Sequence, residues 1–566
     1  MAIPAAERPQ VLVPEKVSPD GLALLQKTLD VHEKKGLTPE KLLEIIGDYE
    51  ALIVRSETKV TETLLKAAKK LKVVARAGVG VDNVDVPAAT KLGIIVVNSP
   101  AGNINAAAEQ TIALMMSTAR YTTEAAASMK ASKWERSKFV GTELKGKTLA
   151  IIGLGKVGFT VARIAKGFGM TVIAYDPYAN QAIADAQNIT VYASLHDCLK
   201  LGDYVTVHTP LMPATRGMIG TKELEAMKPT AKILNVGRGG VIDEPALLEA
   251  LEAGKLAGAG LDVFTSEPPA ADSVASKLVA HPAVVATPHL GASTKEAQEN
   301  VSIDVCEQVI AILGGELPRS AVNAPIILPE EYRTLQPFVN LVERIGSLYS
   351  QHYGAKQQSG FRTTFDLSYE GAIASLGTTK PLFAALVKGL VAPVSDINVN
   401  VVNAELVAKE RGFLINEQRS REHVEEGFAS FITLRARTSR SASHSRVQES
   451  KEQPVEQIIQ GYVSANTPYI SRVDRFRTNF VPQGNLLICR NIDRAGKIGY
   501  VGSQLGKHGV NINFMSVAPL QKEHEGTQGD EALMILGIDK PVGEDIVKGL
   551  IGDEGVLEAR VVTLAA

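Results

Sequence analysis

Between Gln10 and Pro100, short unbroken apolar runs (VLVP, ALIV, KVVARAG, IIVVNSP) alternate with segments such as TPEKLLEIIGDYE and VTETLLKAAKKL, whose apolar residues recur every three or four positions. A strand covered on both faces needs the first pattern and a helix with one buried face needs the second, so the stretch predicts a small parallel α/β lobe. An Ala-rich helix is expected from Asn105 to Arg120, with a second helical piece over Ala125–Trp134 leading away from that lobe. From Lys147 the alternation resumes. Six strands are predicted: the run after Lys147, then Thr171–Tyr175, Tyr204–Val207, Lys232–Asn235, Ala259–Val263 and Val284–Ala286. Six is the strand number of a doubly wound dinucleotide-binding sheet. KEAQENVSIDVCEQVIAIL restores the helical period and should return to the first lobe, which makes the second lobe an insertion in the first.

VNAPIILP, with Pro325 and Pro329 flanking an apolar stretch, marks a linker. Beyond it, helical LQPFVNLVERIGSLYSQHY and strand-like GFRTTFDLSYEG and INVNVVN predict an α+β region. The Ser- and Arg-rich run over residues 435–451 is expected to be a solvated loop, with anion binding as the alternative. From Asn485 on, the order is strand, helix, strand, a polar hairpin tip (QKEHEGTQGD), strand, helix, strand, a complete β-α-β-β-α-β unit.

A length of 566 residues suggests three or four domains. Lys plus Arg number 60 against 62 for Asp plus Glu, a balance that gives no reason to expect nucleic acid or an anionic membrane as partner. The cysteines, Cys198, Cys306 and Cys489, are too scattered for a metal site or a redox pair, no apolar run would span a bilayer, and MAIPAAERPQ lacks the features of a secretory signal. We expect a cytoplasmic protein, or an organellar one after removal of a leader, with no metal.

Chemistry concentrates in KTLAIIGLGKVGFTVARIAKGFGMTVIAYD. Gly153 allows a tight turn after the strand, Gly155 lets backbone approach a pyrophosphate, Lys156 and Val157 open a helix, and Gly158 lets that helix lie close to the strand. Asp176 ends the next strand, where it can accept from a ribose hydroxyl and repel a 2′-phosphate, so NAD is expected rather than NADP. Three more candidates follow predicted strands: Arg238 in NVGRGG to fork onto a carboxylate, His289 in TPHLGAST to exchange a proton, and Glu267 in DVFTSEPP to orient the imidazole. In the first lobe Arg55 and Arg76 also sit at strand ends and suggest an anionic substrate, surface ion pairs being the alternative. Trp134 and Arg136, in SKWERSKFVG, suit a cleft edge, a subunit boundary or an ordinary surface loop.

GLGKVG with Asp176, NVGRGGVID, GLDVFTSEPP and TPHLGAST resemble the motifs of the D-2-hydroxyacid dehydrogenase family, and the further C-terminal regions resemble its long form. That resemblance implies a Rossmann-type nucleotide domain (105–296) inserted in a flavodoxin-like substrate domain (1–104, completed by 297–325). An α+β intervening domain (326–482), with VNAELVAKERG as its clearest match, and a ferredoxin-like ACT domain (483–566) would follow. It also implies roles: Arg238 for the substrate carboxylate, His289 as acid–base, Glu267 as its partner and Asp262 near the nicotinamide carboxamide. Arg55, Arg76, Gly78, Val79 and Asn103 would contact substrate, and Arg136 would reach a neighbouring subunit of a homodimer or homotetramer. The implied reaction is oxidation of 3-phosphoglycerate by NAD, the first step towards L-serine. L-serine is the implied effector at Asn491, Asp493 and Asn511, although Ala495 stands where the family's loop usually has proline. A glyoxylate or hydroxypyruvate reductase and an NAD-sensing binding protein are the alternatives.

Overall fold

The computed structural model describes residues 8–325, 327, 329–354, 361–420, 430–440, 456–520, 531–552 and 556–565. Strands β1 (Gln10–Val13), β2 (Asp30–Glu33), β3 (Ala51–Val54), β4 (Val73–Arg76) and β5 (Ile95–Asn98) pair in parallel in the order β2-β1-β3-β4-β5, the flavodoxin-like arrangement. The middle strands ALIV and VVA are fully buried, as their unbroken apolar runs require. β2, reading DVHE, was not expected; it lies at the sheet edge, where a polar sequence is tolerated.

The second sheet has seven strands, one more than predicted. They are β6 (Thr148–Ile152), β7 (Thr171–Tyr175), β8 (Thr190–Tyr192), β9 (Tyr204–Val207), β10 (Lys232–Asn235), β11 (Gly258–Leu261) and β12 (Val284–Ala286), in the order β12-β11-β10-β9-β6-β7-β8. The addition, β8, is a three-residue edge strand with too few apolar positions to reveal it. Reversal of strand order beside β6 opens a crevice at the carboxyl ends of β6 and β9, where sheets of this kind bind ligands.

Helix Ile104–Arg120 leads out of the first lobe and packs on β10 and β11. The following helix, Thr122–Lys130, stops four residues short of the predicted end at Trp134, which is 79% exposed. Helix Lys295–Leu313 returns to the first lobe: Val301, Val305, Val309 and Ile312 join the core formed by Val11, Ile53 and Val73. Asn323 then clasps β5, accepting from the Val96 amide at 2.8 Å and donating to the Ile94 carbonyl at 2.9 Å.

The third sheet orders β13 (Phe361–Gly371), β14 (Leu414–Ser420), β15 (Ser430–Arg440), β16 (Gln457–Ser464), β17 (Thr467–Val473) and β18 (Phe476–Phe480) as β14-β13-β15-β16-β17-β18. Two expectations fail here. Residues 435–440 of the Ser- and Arg-rich run are strand rather than loop, because Ile432, Leu434 and Ala436 alternate inward and extend the pairing with β13; residues 441–451 lie outside the described set. INVNVVN is a turn rather than a strand. Its asparagines bond the local backbone: Asn403 accepts from the Asn400 amide at 2.9 Å and donates to the Asn398 carbonyl at 2.8 Å.

The terminal sheet orders β19 (Gly484–Ile492), β20 (Ile512–Pro519), β21 (Glu531–Ile538) and β22 (Val556–Leu564) as β20-β21-β19-β22, all antiparallel, a ferredoxin-like arrangement. The hairpin tip at 521–530 lies outside the described residues. One face of this sheet packs beneath helices Lys497–Lys507 and Glu544–Leu550. The other face, through Leu486, Ile488, Leu533, Ile535 and Val562, shares one continuous core with Leu341, Ile345 and Leu348 of helix Pro329–Tyr353 and with the third sheet. Among the described residues no helix is long and apolar enough to cross a membrane.

Candidate active site

At the carboxyl end of β6 the backbone does what the glycine spacing asks. Gly153 takes φ +97°, and a Cβ there would press on the His208 carbonyl at 2.9 Å. A Cβ on Gly158 would collide with the Gly153 carbonyl, so only glycine lets helix Lys156–Gly167 lie this close to its strand. Gly155, by contrast, faces open space, and no side chain caps the helix, so its first amides are left to a ligand. Lys156 is exposed and Val157 lines the adjacent cleft. Asp176 accepts from the Leu154 amide and from the Tyr178 amide, each at 2.8 Å, so each oxygen is anchored and retains lone-pair capacity for a ribose hydroxyl. The buried Thr209 hydroxyl has no protein partner and opens on the same crevice. A dinucleotide fits this set.

Across the carboxyl ends of β10, β11 and β12 three side chains converge. The buried Asn235 staples the turn after β10, accepting from the Gly237 amide at 3.0 Å and donating to the Arg238 carbonyl at 2.9 Å, which presents Arg238 to the cleft. His289 is held at φ +54° by bonds from its amide to the Asp262 and Thr287 carbonyls. Its Nδ1 lies 2.6 Å from Glu267 Oε2, while Glu267 Oε1 accepts from the Phe264 amide at 3.0 Å. Burial raises the Glu267 carboxyl, but the His289 ring, the Phe264 amide and the charge of Arg238 outweigh it, and its pKa is lowered overall. An ionised Glu267 accepts from Nδ1–H and leaves Nε2 to the cleft that His289 lines.

The facing wall comes from the first lobe. The cleft, about 440 Å³, is lined by Val79, Asp82 and Asn103 on that side and by Val157, Arg238 and His289 on the other. Arg76 is half-buried with its Nε unpartnered. Burial lowers its pKa, as do the neighbouring Arg238 and Arg55, with Asp82 and Glu15 opposing. Gly78 takes φ +153°, a conformation that L side chains rarely adopt, and a Cβ there would push the Arg76 guanidinium from its place. Arg55 is presented by a loop that the buried Glu15 carboxylate gathers, accepting from the amides of Arg55, Glu57 and Thr58 at 3.0, 3.2 and 2.9 Å. The three guanidinium groups are thus electrostatic neighbours, and of them Arg238 lines the cleft.

Residues 112–291 match the model of the D-isomer specific 2-hydroxyacid dehydrogenase NAD binding domain, and residues 334–450 that of the D-3-phosphoglycerate dehydrogenase intervening domain. The chain is 43% identical to the chloroplastic D-3-phosphoglycerate dehydrogenase 2 of Arabidopsis thaliana over 95% of this chain and 84% of that one. It belongs to the D-3-phosphoglycerate dehydrogenase family. The D-3-phosphoglycerate dehydrogenase of Synechocystis sp. is 39% identical over 98% of this chain and 95% of its own. A D-lactate dehydrogenase from Aquifex aeolicus, solved with NAD and lactic acid, superposes with a TM-score of 0.51 at 26% identity, covering 56% of this chain and 99% of its own.

Within this dehydrogenase, the first two lobes bring Val79, Asn103, Val157, Arg238 and His289 to one crevice; one expectation changes, at Asn491, and one cleft residue was not expected. Asp262 is fully buried: it accepts from Thr287 Oγ1 at 2.5 Å and from the Leu290 and Gly291 amides at 2.7 Å, so it braces the loop that carries His289. Asn491 belongs to strand β19, not to a loop, and is 2% exposed, hidden from any surface ligand; Asp493 and Asn511 are exposed, and among the described residues no hydrogen bond joins the three. Arg136 is exposed on the turn Arg136–Lys138 and lies outside the lining of this cleft. His208, which follows β9 and lines the cleft, was missed; its bond to Thr206 Oγ1 at 3.0 Å and burial, which pushes its pKa down to about 4, keep the imidazole neutral. Its position after a strand of the nucleotide sheet was the available signal.

Proposed function

We propose that this protein oxidises 3-phosphoglycerate to 3-phosphohydroxypyruvate with NAD, the first step of L-serine biosynthesis. The observation that carries this reading is the grouping of Arg55 and Arg76 with Arg238, which lines the cleft on the same side as an imidazole bonded through Nδ1 to Glu267. A phosphorylated 2-hydroxy acid carries a carboxylate and a phosphate, and three cations match that charge where an unphosphorylated acid would need one.

In this mechanism Arg238 holds the carboxylate as a fork, and Arg55 and Arg76 take the phosphate. His289 Nε2 receives the C2 hydroxyl proton, while Glu267, accepting Nδ1–H, stabilises the imidazolium that forms. NAD, when bound, accepts the hydride from C2. Asp262 keeps His289 in a left-handed backbone conformation that a non-glycine residue adopts only when its surroundings impose it. In reverse, His289 Nε2–H returns the proton to the carbonyl oxygen.

The test is an initial-rate panel of 2-hydroxy acids with and without a phosphate, each with NAD and with NADP. Preferential turnover of 3-phosphoglycerate with NAD is expected; equal use of glycerate or lactate would defeat the substrate assignment. The protein acts as a homodimer or homotetramer, to which the exposed Trp134 and Val140 near Arg136 lend an apolar surface, with Arg136 reaching a second copy's cleft. Its free, buried cysteines suit the reducing cytoplasm. L-serine acts at the terminal module through the exposed Asp493. Serine should lower the rate of the parent and leave Asp493→Ala untouched; calorimetry without serine binding to the parent would leave the module with a structural role alone.

A further inference from the structure

Arg238 does not face an empty cleft. Its Nε lies 3.4 Å from Oδ2 of Asp82, which sits on the opposite lobe in the loop after β4. Two other acids near these guanidinium groups are engaged: Glu15 accepts from three backbone amides, and Glu267 binds His289 and the Phe264 amide. The Asp82 side chain is 75% exposed, so it stays solvated and free to swing away, whereas Arg238, at 28%, is fixed by its bond to the Gly237 carbonyl at 2.8 Å. Gly80 leaves room for this crossing, since a Cβ there would collide with the Arg238 guanidinium and lie 2.7 Å from the Asp82 carboxylate.

Given the reading of Arg238 as carboxylate anchor, we propose that Asp82 is its resident counter-ion, a carboxylate that reaches across the cleft and is displaced by the carboxylate of the arriving substrate. The exchange trades one carboxylate–guanidinium pair for another, so Asp82 weakens substrate binding by the strength of the pair it gives up. A solvated pair of this kind is modest and screened by salt. Its counterpart benefit is that Arg238 is never left as an unpaired charge beside Arg76, and that anions unable to displace a carboxylate are excluded.

The test is Asp82→Asn, read in two ways. Calorimetric titration of the NAD-loaded protein with oxalate, a carboxylate probe that carries no phosphate, should give a dissociation constant about two- to fivefold lower in the variant than in the parent, a gap that closes in 1 M KCl. The KM for 3-phosphoglycerate should fall by a similar factor. Equal oxalate affinities, no oxalate binding by either form, or weaker binding by the variant, as expected if Asp82 merely orients Arg238, would overturn the proposal. A parent that binds oxalate yet does not turn over 3-phosphoglycerate would defeat the substrate reading while the calorimetry still decides the role of Asp82.

Discussion

His289 and Glu267 are 2.6 Å apart, and that distance makes His289 a directional proton carrier instead of a generic polar contact. His289→Ala should lower kcat by about a hundredfold to ten-thousandfold, the range for loss of a general acid–base, while the dissociation constant for NAD stays close to that of the parent. A variant that keeps most of its turnover would remove His289 from the chemistry. His208 lends itself to a different measurement. Its imidazole is held at about 4 against an ordinary 6.5, so between those values the unfolded chain binds a proton that the folded chain refuses. Stability should therefore decline as pH falls from 6.5 towards 4 and level off below it. Denaturation midpoints measured across that window should show a shallower slope for His208→Gln; an unchanged slope would mean that other groups carry it.

At the scale of elements, the close approach of helix Lys156–Gly167 to β6 depends on one missing methyl group. Gly158→Ala should cost about 1–3 kcal/mol of stability, the range for overpacking, and weaken NAD binding, because the added carbon meets backbone that cannot rotate away. Gly167→Ala in the same helix meets nothing within 4 Å and should be neutral or stabilising, so thermal melts of the two variants should separate clearly. Elements were legible in the sequence where burial is complete on both faces, as in ALIV or the VVA of β4, since apolar residues dominate there. The edge strands DVHE and TVY were not, because one side is open to water and imposes no pattern. INVNVVN misled in the opposite sense: its valines alternate as in a strand, but the asparagines between them close turns that hydropathy alone does not register. Asp262 stood out as a motif residue, but its bracing of the His289 loop was not legible, since it rests on three-dimensional bonds of its carboxylate.

For the molecule as a whole, the last two sheets share a core, so they should melt as one unit. A chain ending at residue 482 would lose Leu486, Ile488, Leu533, Ile535 and Val562 from the shared core and should aggregate or lose cooperative unfolding, whereas one ending at residue 325 keeps both lobes of the cleft and should still bind NAD. Equal yields and melting behaviour for the two truncations would argue against the common core. The return of helix Lys295–Leu313 has another consequence, for the order in which the protein can be made. On the ribosome β5 is complete at Asn98, yet the helix that closes one side of its sheet begins only at Lys295. At about 5–20 residues per second that delay is roughly 10–40 s. Throughout it Val11, Ile53 and Val73 have Leu22 and Leu25 but lack Val301, Val305 and Val309, so the first lobe to emerge is the later of the two to finish, and the nucleotide lobe, whose seven strands emerge within the gap, can complete its sheet first.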